Sequence, residues 1–190
     1  FTLFANRRLL IGDPNIYSYS NTELTHYFKS SRGHNVVLID GMGQARRFRP
    51  QATLTTLGRN EWVTRPRFDF VRSAYLEGYA PDPCPSRGEP GQVDLSFSHR
   101  RAIFYVKPGY WILCDLIRGG EDDRQPHRLE QLFHLAPLYR PGEALPMLAG
   151  DVSVSPERIL SANAGEGNLA ILPVDPQSLQ ARAQRGETSP

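Results

Sequence analysis

Cysteine, net charge and long apolar runs are scarce in this 190-residue sequence. Its two cysteines, Cys84 and Cys114, provide neither a disulfide framework nor the spacing of a zinc-binding motif. The sequence contains no run of about 18 apolar residues, so it predicts no membrane-spanning helix. The formal net charge of +2 is too small to indicate a nucleic-acid-binding protein.

Lysine is also rare, since the 22 basic residues include only Lys29 and Lys107. Arginine favours planar, bidentate contacts with carboxylate, sulfate or phosphate. A GC-rich genome produces the same bias and is the simpler explanation. The arginine content alone therefore identifies no ligand.

The chain opens on apolar residues of a strand pattern, Phe1 to Ala5, without a methionine, a charged leader or a signal peptide. We therefore expect it to be a fragment or a processed piece of a longer protein.

The most informative stretch is Arg32 to Gln44, RGHNVVLIDGMGQ. Its short β-branched run, Val36 to Ile39, is bounded by glycine on both sides, which predicts a buried strand. His34 lies where this strand leaves a loop, a position that suits a metal ligand or a ligand contact because the sheet fixes the direction of the ring. The alternative is a histidine that caps the strand end by a hydrogen bond.

Short strand patterns separated by glycine and proline turns cover most of the remaining chain. They predict an all-β fold, an antiparallel β-sandwich over residues 1–174, followed by a flexible tail over 175–190 that is poor in apolar residues. The clearest hairpin is centred on Lys107-Pro108-Gly109, with Pro108-Gly109 as the central pair of a type II turn. The predicted strands are Phe1 to Ala5, Leu9 to Ile11, Val36 to Ile39, Gln51 to Leu57, Glu61 to Thr64, Phe68 to Tyr75, Arg101 to Val106, Tyr110 to Ile117, Leu129 to Leu135, Asp151 to Val154 and Leu169 to Pro173.

Some polar groups outside the strands also need an interpretation. A helical turn is predicted over Thr22 to Phe28, with Asn21 or Thr22 as its cap. His99 and His134 fall in predicted strands and are interpreted as histidines with a hydrogen-bonding partner. The acidic run 121–123 is interpreted as a solvated loop, with a calcium site as the less favoured alternative.

Four segments together resemble the β-sheet domain of the heparinase II/III-like family of polysaccharide lyases, over about residues 1 to 140. They are LLIGDPNIYSYS, YFKSSRGHNVVLIDGMGQ, SHRRAIFYVKPGYWILCDLI and LFHLAP, and the HN-strand-DG-Q element is the most specific. The resemblance implies a β-sandwich that follows a large helical toroid, with a sugar polymer bound between the two. Asn15 departs from the family pattern, which usually has glycine there.

The resemblance also implies a zinc site. The family's aspartate and histidine ligands match Asp13 and His34, and the third ligand is expected upstream of Phe1, outside this chain. Zinc accepts carboxylate oxygen and imidazole nitrogen, so both residue types are suitable ligands. The alternative for Asp13 is a turn aspartate before a proline.

The implied activity is β-elimination on a uronic-acid polysaccharide, with the catalytic residues on the missing toroid or on a second chain. The expected substrate contacts in this chain are residues that can stack on a sugar ring or pair with its carboxylate, namely Tyr17, Tyr19, His26, Tyr27 and Arg32. For each tyrosine, packing of a loop on the sheet is the alternative. A bacterial source and a periplasmic or extracellular location suit such a polymer. The competing hypotheses are a non-catalytic carbohydrate-binding or scaffolding sandwich of the same fold, and an unrelated β-sandwich interaction module.

Overall fold

A computed structural model describes residues 1–13, 22–45, 60–81, 93–136, 151–162 and 167–184. In this part of the chain 46% of residues are in strands or bridges and 11% in helices, and every strand pairing is antiparallel. The predicted all-β, antiparallel β-sandwich class is confirmed. No helix among the described residues is long and apolar enough to cross a membrane.

Contacts divide the chain into two compact units. The middle unit is formed by residues 18–132, and the terminal unit by residues 1–17 and 133–190. The middle unit contains α1 (Glu23–Lys29), β3 (Val37–Ile39), β4 (Gly43–Gln44), β5 (Glu61–Arg65), β6 (Phe68–Tyr75), β7 (Tyr79–Ala80), β8 (Ser98–Val106), β9 (Tyr110–Arg118) and β10 (Leu129–Gln131). The terminal unit contains β1 (Leu3–Ala5), β2 (Arg8–Ile11), β11 (Val152–Ser155), β12 (Arg158–Ser161) and β13 (Ala170–Ile171).

The largest sheet of the middle unit has the strand order β5-β6-β8-β9. The predicted β8–β9 hairpin is confirmed, with Val106 opposite Tyr110 next to the turn. The type II turn is wrong, because Gly109 N donates to Val106 O and the central pair is therefore Lys107–Pro108, joined by a cis peptide bond. A cis proline at this position belongs to a type VI turn.

The core of the middle unit forms around β3, as its apolar run predicts. Leu38 and Ile39 are 0% exposed, and β3 pairs with β10. Ile39 packs with Tyr79 and Phe97, which are also buried. The chain then reverses at Asp40, whose φ of +51° is left-handed, so that Met42 N donates to Ile39 O at 2.8 Å. The sequence Asp-Gly tolerates such a tight turn.

Helix α1 confirms the predicted helical turn and its cap. Thr22 Oγ1 accepts a hydrogen bond from Thr25 N at 3.2 Å and so satisfies one of the free amides of the first turn. A 3-10 turn, Ser31–Gly33, follows at once and leads to β3. Gly33 is required there, because a Cβ at this position would stand 2.7 Å from the backbone oxygen of Tyr27.

The terminal unit pairs β1 with β2 and forms a second sheet in the order β11-β12-β13. Several predicted strands are shorter than expected: Leu129 to Leu135 is a strand only over β10, with an isolated bridge between Leu135 and Ile11. The predicted strand Gln51 to Leu57 lies outside the described residues. In the predicted tail, Pro176–Ser178 forms a single 3-10 turn.

Candidate functional site

A buried ion network occupies one face of the four-stranded sheet in the middle unit. Directly opposite residues of neighbouring strands share a face, so Arg101 on β8 meets Asp115 on β9. Arg101 Nε and Nη2 donate to the two Asp115 carboxylate oxygens at 2.7 and 2.8 Å, and His99 Nε2 lies 2.7 Å from Asp115 Oδ1. Gln131 Nε2 on β10 donates to Asp115 Oδ2 at 2.6 Å. We call these four residues the Asp115 network.

The Asp115 network favours the ionised carboxylate. The side chain of Asp115 is only 8% exposed, and burial by itself would raise its pKa. The hydrogen bonds from His99 and Arg101 and the positive charge of Arg101 outweigh that effect and hold the pKa of Asp115 well below its usual range. Asp115 is therefore a structural anion at any physiological pH.

His99 is held in a defined tautomer by its two neighbours. A carboxylate only accepts hydrogen bonds, so Nε2 carries the proton that bonds Asp115, while Nδ1 lies 3.4 Å from the side-chain amide nitrogen of Gln44. The prediction that His99 is a strand histidine with a partner is confirmed. Tyr79 lies in the core of the middle unit, its hydroxyl is fully buried, and this burial raises its pKa to about 12.

The Asp115 network also holds the loop that enters β3. Arg101 Nη1 donates to the backbone oxygen of Asn35, a buried residue two positions before the strand. Ser31 Oγ accepts a hydrogen bond from Gln44 N at 2.8 Å, which ties the 3-10 turn to β4. The segment that carries Arg32 and His34 is thus fixed at both ends by buried polar contacts.

Three of the predicted substrate contacts lie on or beside α1. His26, Tyr27 and Arg32 are all exposed, and 41% of Tyr27 is accessible. Partial burial raises the pKa of Tyr27, so its hydroxyl stays protonated at neutral pH. Arg32 Nη2 donates to Gly41 O at 3.5 Å, at the turn after β3. The other two predicted contacts, Tyr17 and Tyr19, lie outside the described residues.

His34 makes the hydrogen bond expected of a strand-end histidine. Its Nε2 lies 3.0 Å from the backbone oxygen of Phe28. Because a carbonyl only accepts, the proton is on Nε2, and Nδ1 is the nitrogen whose lone pair a metal would require. The hydrogen bond and a role as metal ligand are therefore compatible in one tautomer.

Asp13 lies two residues after β2 in the terminal unit, and its Oδ2 lies 3.0 Å from the backbone nitrogen of Phe1. Among the described residues, no three histidine, cysteine, aspartate or glutamate side chains form a group that could hold a metal ion. Asp13 and His34 have the donor types that zinc accepts, but two protein ligands fall short of the usual four-coordinate shell.

A second polar cluster joins the turn after β3 to the loop before β10. His127 Nδ1 lies 2.6 Å from Asp40 Oδ2, and its Nε2 lies 2.9 Å from Asp123 Oδ2. We call these three residues the histidine clasp. The hydrogen bonds that His127 donates to Asp40 and, second in size, to Asp123 raise the pKa of His127, and the same bonds lower the pKa of both carboxyl groups.

The sequence analysis assigned no role to Arg101, Asp115 or the histidine clasp. It interpreted the acidic run 121–123 as solvated, whereas Asp123 contacts His127. The spacing of these two residues, four apart, was the available signal. Gly119 supports the contact, because a Cβ there would stand 2.3 Å from Asp123 Oδ2 and displace it.

A family model described as "Heparinase II/III-like, C-terminal" matches residues 1–184 of the chain. No curated protein and no solved structure gives a match.

Proposed function

The chain belongs to this heparinase II/III-like family, as its C-terminal portion, and on that premise we propose that it is the β-sandwich part of a lyase that cleaves a uronic-acid polysaccharide. In this proposal the catalytic base and acid are supplied by another part of the protein, a helical domain or a second chain. The present chain supplies a wall of the cleft and two ligands of a structural zinc ion.

The reaction is a β-elimination. Neutralising the sugar carboxylate makes the neighbouring C–H bond more acidic, a base removes that proton, and an acid protonates the departing glycosidic oxygen. A cleft wall helps by orienting the carboxylate, since a small misplacement of the reacting atoms costs a large part of the rate.

The observation that carries the proposal is the exposed pair Tyr27 and Arg32 on a rigid support. An aromatic face suits a sugar ring, and a guanidinium suits a carboxylate. Arg32 lies on the segment 31–35, which the contacts Arg101–Asn35 and Gln44–Ser31 hold at both ends. Tyr27 lies in the last turn of α1, where its backbone oxygen accepts a hydrogen bond from Ser30 Oγ at 2.8 Å. A support fixed in this way limits the entropy lost when a sugar chain binds.

The zinc proposal assigns Asp13 and His34 as ligands, with the remaining ligand from outside this chain. A zinc ion bound there would fix the ends of their segments and so hold the neighbouring Tyr27 and Arg32. Nε2 of His34 bonds Phe28 O, so Nδ1 would be the coordinating atom in this role.

Binding to polymannuronate, polyguluronate and a heparan-type glycosaminoglycan tests the cleft wall. We expect Arg32→Ala to weaken binding of at least one of these polymers about tenfold, in line with the loss of one charge-assisted contact. Arg118→Ala is the matched control, since Arg118 is an exposed arginine at the end of β9. Equal affinities of the two variants would contradict the proposal.

Metal content and lyase rate of the intact protein test the zinc site. His34→Ala should lower the zinc stoichiometry, and the rate of unsaturated-uronate formation should fall with it, whereas His26→Ala should keep its zinc. Unchanged zinc in His34→Ala would refute the ligand assignment. Full activity with zinc lost would refute its positioning role.

A further inference from the structure

An aromatic depression of about 200 Å³ lies on the sheet of the middle unit, on the same face as the Asp115 network. Its lining includes Trp62 on β5, Val71 on β6, Ile103 and Tyr105 on β8, and Trp111 on β9. We call it the aromatic trough. It is separate from the segment that carries Tyr27 and Arg32, so the proposed function does not account for it.

The aromatic trough has rigid, flat walls. Tyr105 and Trp111 are directly opposite in the β8–β9 register, and their rings stack with centroids 4.7 Å apart at 10°. Trp62 lies opposite Val71, which lies opposite Ile103, so Trp62 stands two strands and two residues from Tyr105. These offsets amount to about 9.5 Å across the sheet and about 6.8 Å along it, which leaves room for one flat ring between the two side chains.

Trp62 is 74% exposed, although its indole nitrogen is already bonded to Thr64 Oγ1 at 3.1 Å. A large aromatic side chain that is left in water while its polar atom is satisfied offers its apolar faces to a ligand. Exposed tryptophans of this kind are typical anchors of binding sites.

The charges of the aromatic trough balance. Asp69 is the only charged residue among the described residues that line the trough, and Lys107 Nζ lies 2.7 Å from Asp69 Oδ1. An anionic sugar would meet the carboxylate of Asp69 with no uncompensated cation beside it. A neutral sugar would instead place its C–H groups on the ring faces, whose partial negative charge attracts them, and donate a hydroxyl to the carboxylate.

We propose that the aromatic trough is a binding site for a neutral pyranose unit of a polysaccharide. The volume is below that of drug-sized pockets, which begin at about 300 Å³, and so fits a single sugar ring. The aromatic trough would bind an uncharged sugar, whereas Arg32 would bind a charged uronate. The proposal for the trough does not depend on the proposed lyase function.

Intrinsic fluorescence reports on this site alone, because Trp62 and Trp111 are the two tryptophans of the chain. The probes are neutral hexasaccharides, a β-1,4-glucan, an α-1,4-glucan, a β-1,4-mannan and a β-1,4-galactan, with polymannuronate and a leucine- and phenylalanine-rich peptide as competitors. We expect a saturable change with at least one neutral hexasaccharide and a weaker response to polymannuronate. No response to any neutral sugar, or a stronger response to polymannuronate or to the peptide, would overturn the proposal.

Two variants separate stacking from folding. Calorimetric titration of Trp62→Ala with the sugar that binds should show about a tenfold loss of affinity, whereas Trp62→Tyr should retain most of it. Both variants should melt as the wild type does, since Trp62 is exposed. Arg32→Ala should leave neutral-sugar binding unchanged, so failure of the uronate surface and failure of the aromatic trough are distinguishable. Unaltered affinity in Trp62→Ala would overturn the assignment.

Discussion

Replacing Arg101 with methionine removes the guanidinium of the Asp115 network and keeps the apolar stem. The substitution deletes two hydrogen bonds to Asp115, at 2.7 and 2.8 Å, and the contact with Asn35 O. Removing one partner of a buried ion pair costs about 3–5 kcal/mol, because the remaining charge is left without compensation. Asp115 keeps its hydrogen bonds from His99 and Gln131, so we expect the lower end, about 3 kcal/mol.

The pH dependence of stability gives a second expected result. The pKa of Asp115 is lower in the folded protein than in the unfolded chain, where it is about 3.9. Asp115 therefore stabilises the fold fully above the unfolded pKa, and this contribution is lost as the pH falls from there through the folded pKa. In Arg101→Met, burial is opposed by fewer hydrogen bonds and the pKa of Asp115 rises. The loss of stability on acidification that is due to Asp115 should therefore be smaller in Arg101→Met than in the wild type, because the folded and unfolded pKa values of Asp115 are closer together.

Urea unfolding followed by circular dichroism, repeated between about pH 3 and pH 7, measures both effects. Arg100→Met is the matched control, because Arg100 is the preceding residue of β8, is exposed and faces the opposite side of the sheet. We expect the control to change the free energy of unfolding by no more than about 0.5 kcal/mol. If the two variants differ by less than about 1 kcal/mol at pH 7, or if they lose the same amount of stability between about pH 5 and pH 3, the network does not stabilise the unit.

The stability contributed by the histidine clasp should fall as the pH rises. The pKa of His127 is raised in the folded protein, so this contribution is full below the unfolded pKa of about 6.5 and is lost as the pH rises through the folded pKa. Thermal melts across this range should show the fall in the wild type and in the control His26→Gln, and a clearly smaller fall in His127→Gln. Gly78→Ala should lower the melting temperature strongly, because Gly78 has a φ of +87° and a Cβ there would stand 2.5 Å from a backbone oxygen. In the control Gly109→Ala the new Cβ would have its nearest neighbour at 3.6 Å, so the melting temperature should change little. Equal melting temperatures of the two variants would contradict this prediction. Removing residues 175–190 should leave thermal stability nearly unchanged, and a large loss would show that the tail packs on the fold.

The fold class could be predicted from the sequence because short apolar runs and turn residues act locally. The hairpin at Lys107-Pro108-Gly109 also determined its register, since Val106 opposite Tyr110 requires Arg101 to lie opposite Asp115. The predicted central pair, Pro108-Gly109, would instead place Lys107 opposite Tyr110 and Arg101 opposite Leu116. The buried ion pair therefore follows only from the observed turn, which is centred on Lys107–Pro108.

The histidine clasp could not be found in this way. Asp40 and His127 are 87 residues apart, and their contact depends on the pairing of β3 with β10, which no turn connects directly. Long-range pairings of this kind follow from the packing of the whole unit and leave little trace in local sequence. The same limit applies to Asp13 and His34, whose proposed joint role rests on the family pattern.

Arginine illustrates why residue placement, and not composition, has to support the proposed function. The guanidinium of Arg101 binds Asp115 and Asn35 inside the fold, so it is not available to bind a polymer. Arg32 has the same chemistry but lies exposed beside Tyr27, on a segment that Arg101 holds in place. A guanidinium suits a uronate best when it is accessible and its support is rigid, and for Arg32 the rigidity of the support depends on the contact of Arg101 with Asn35.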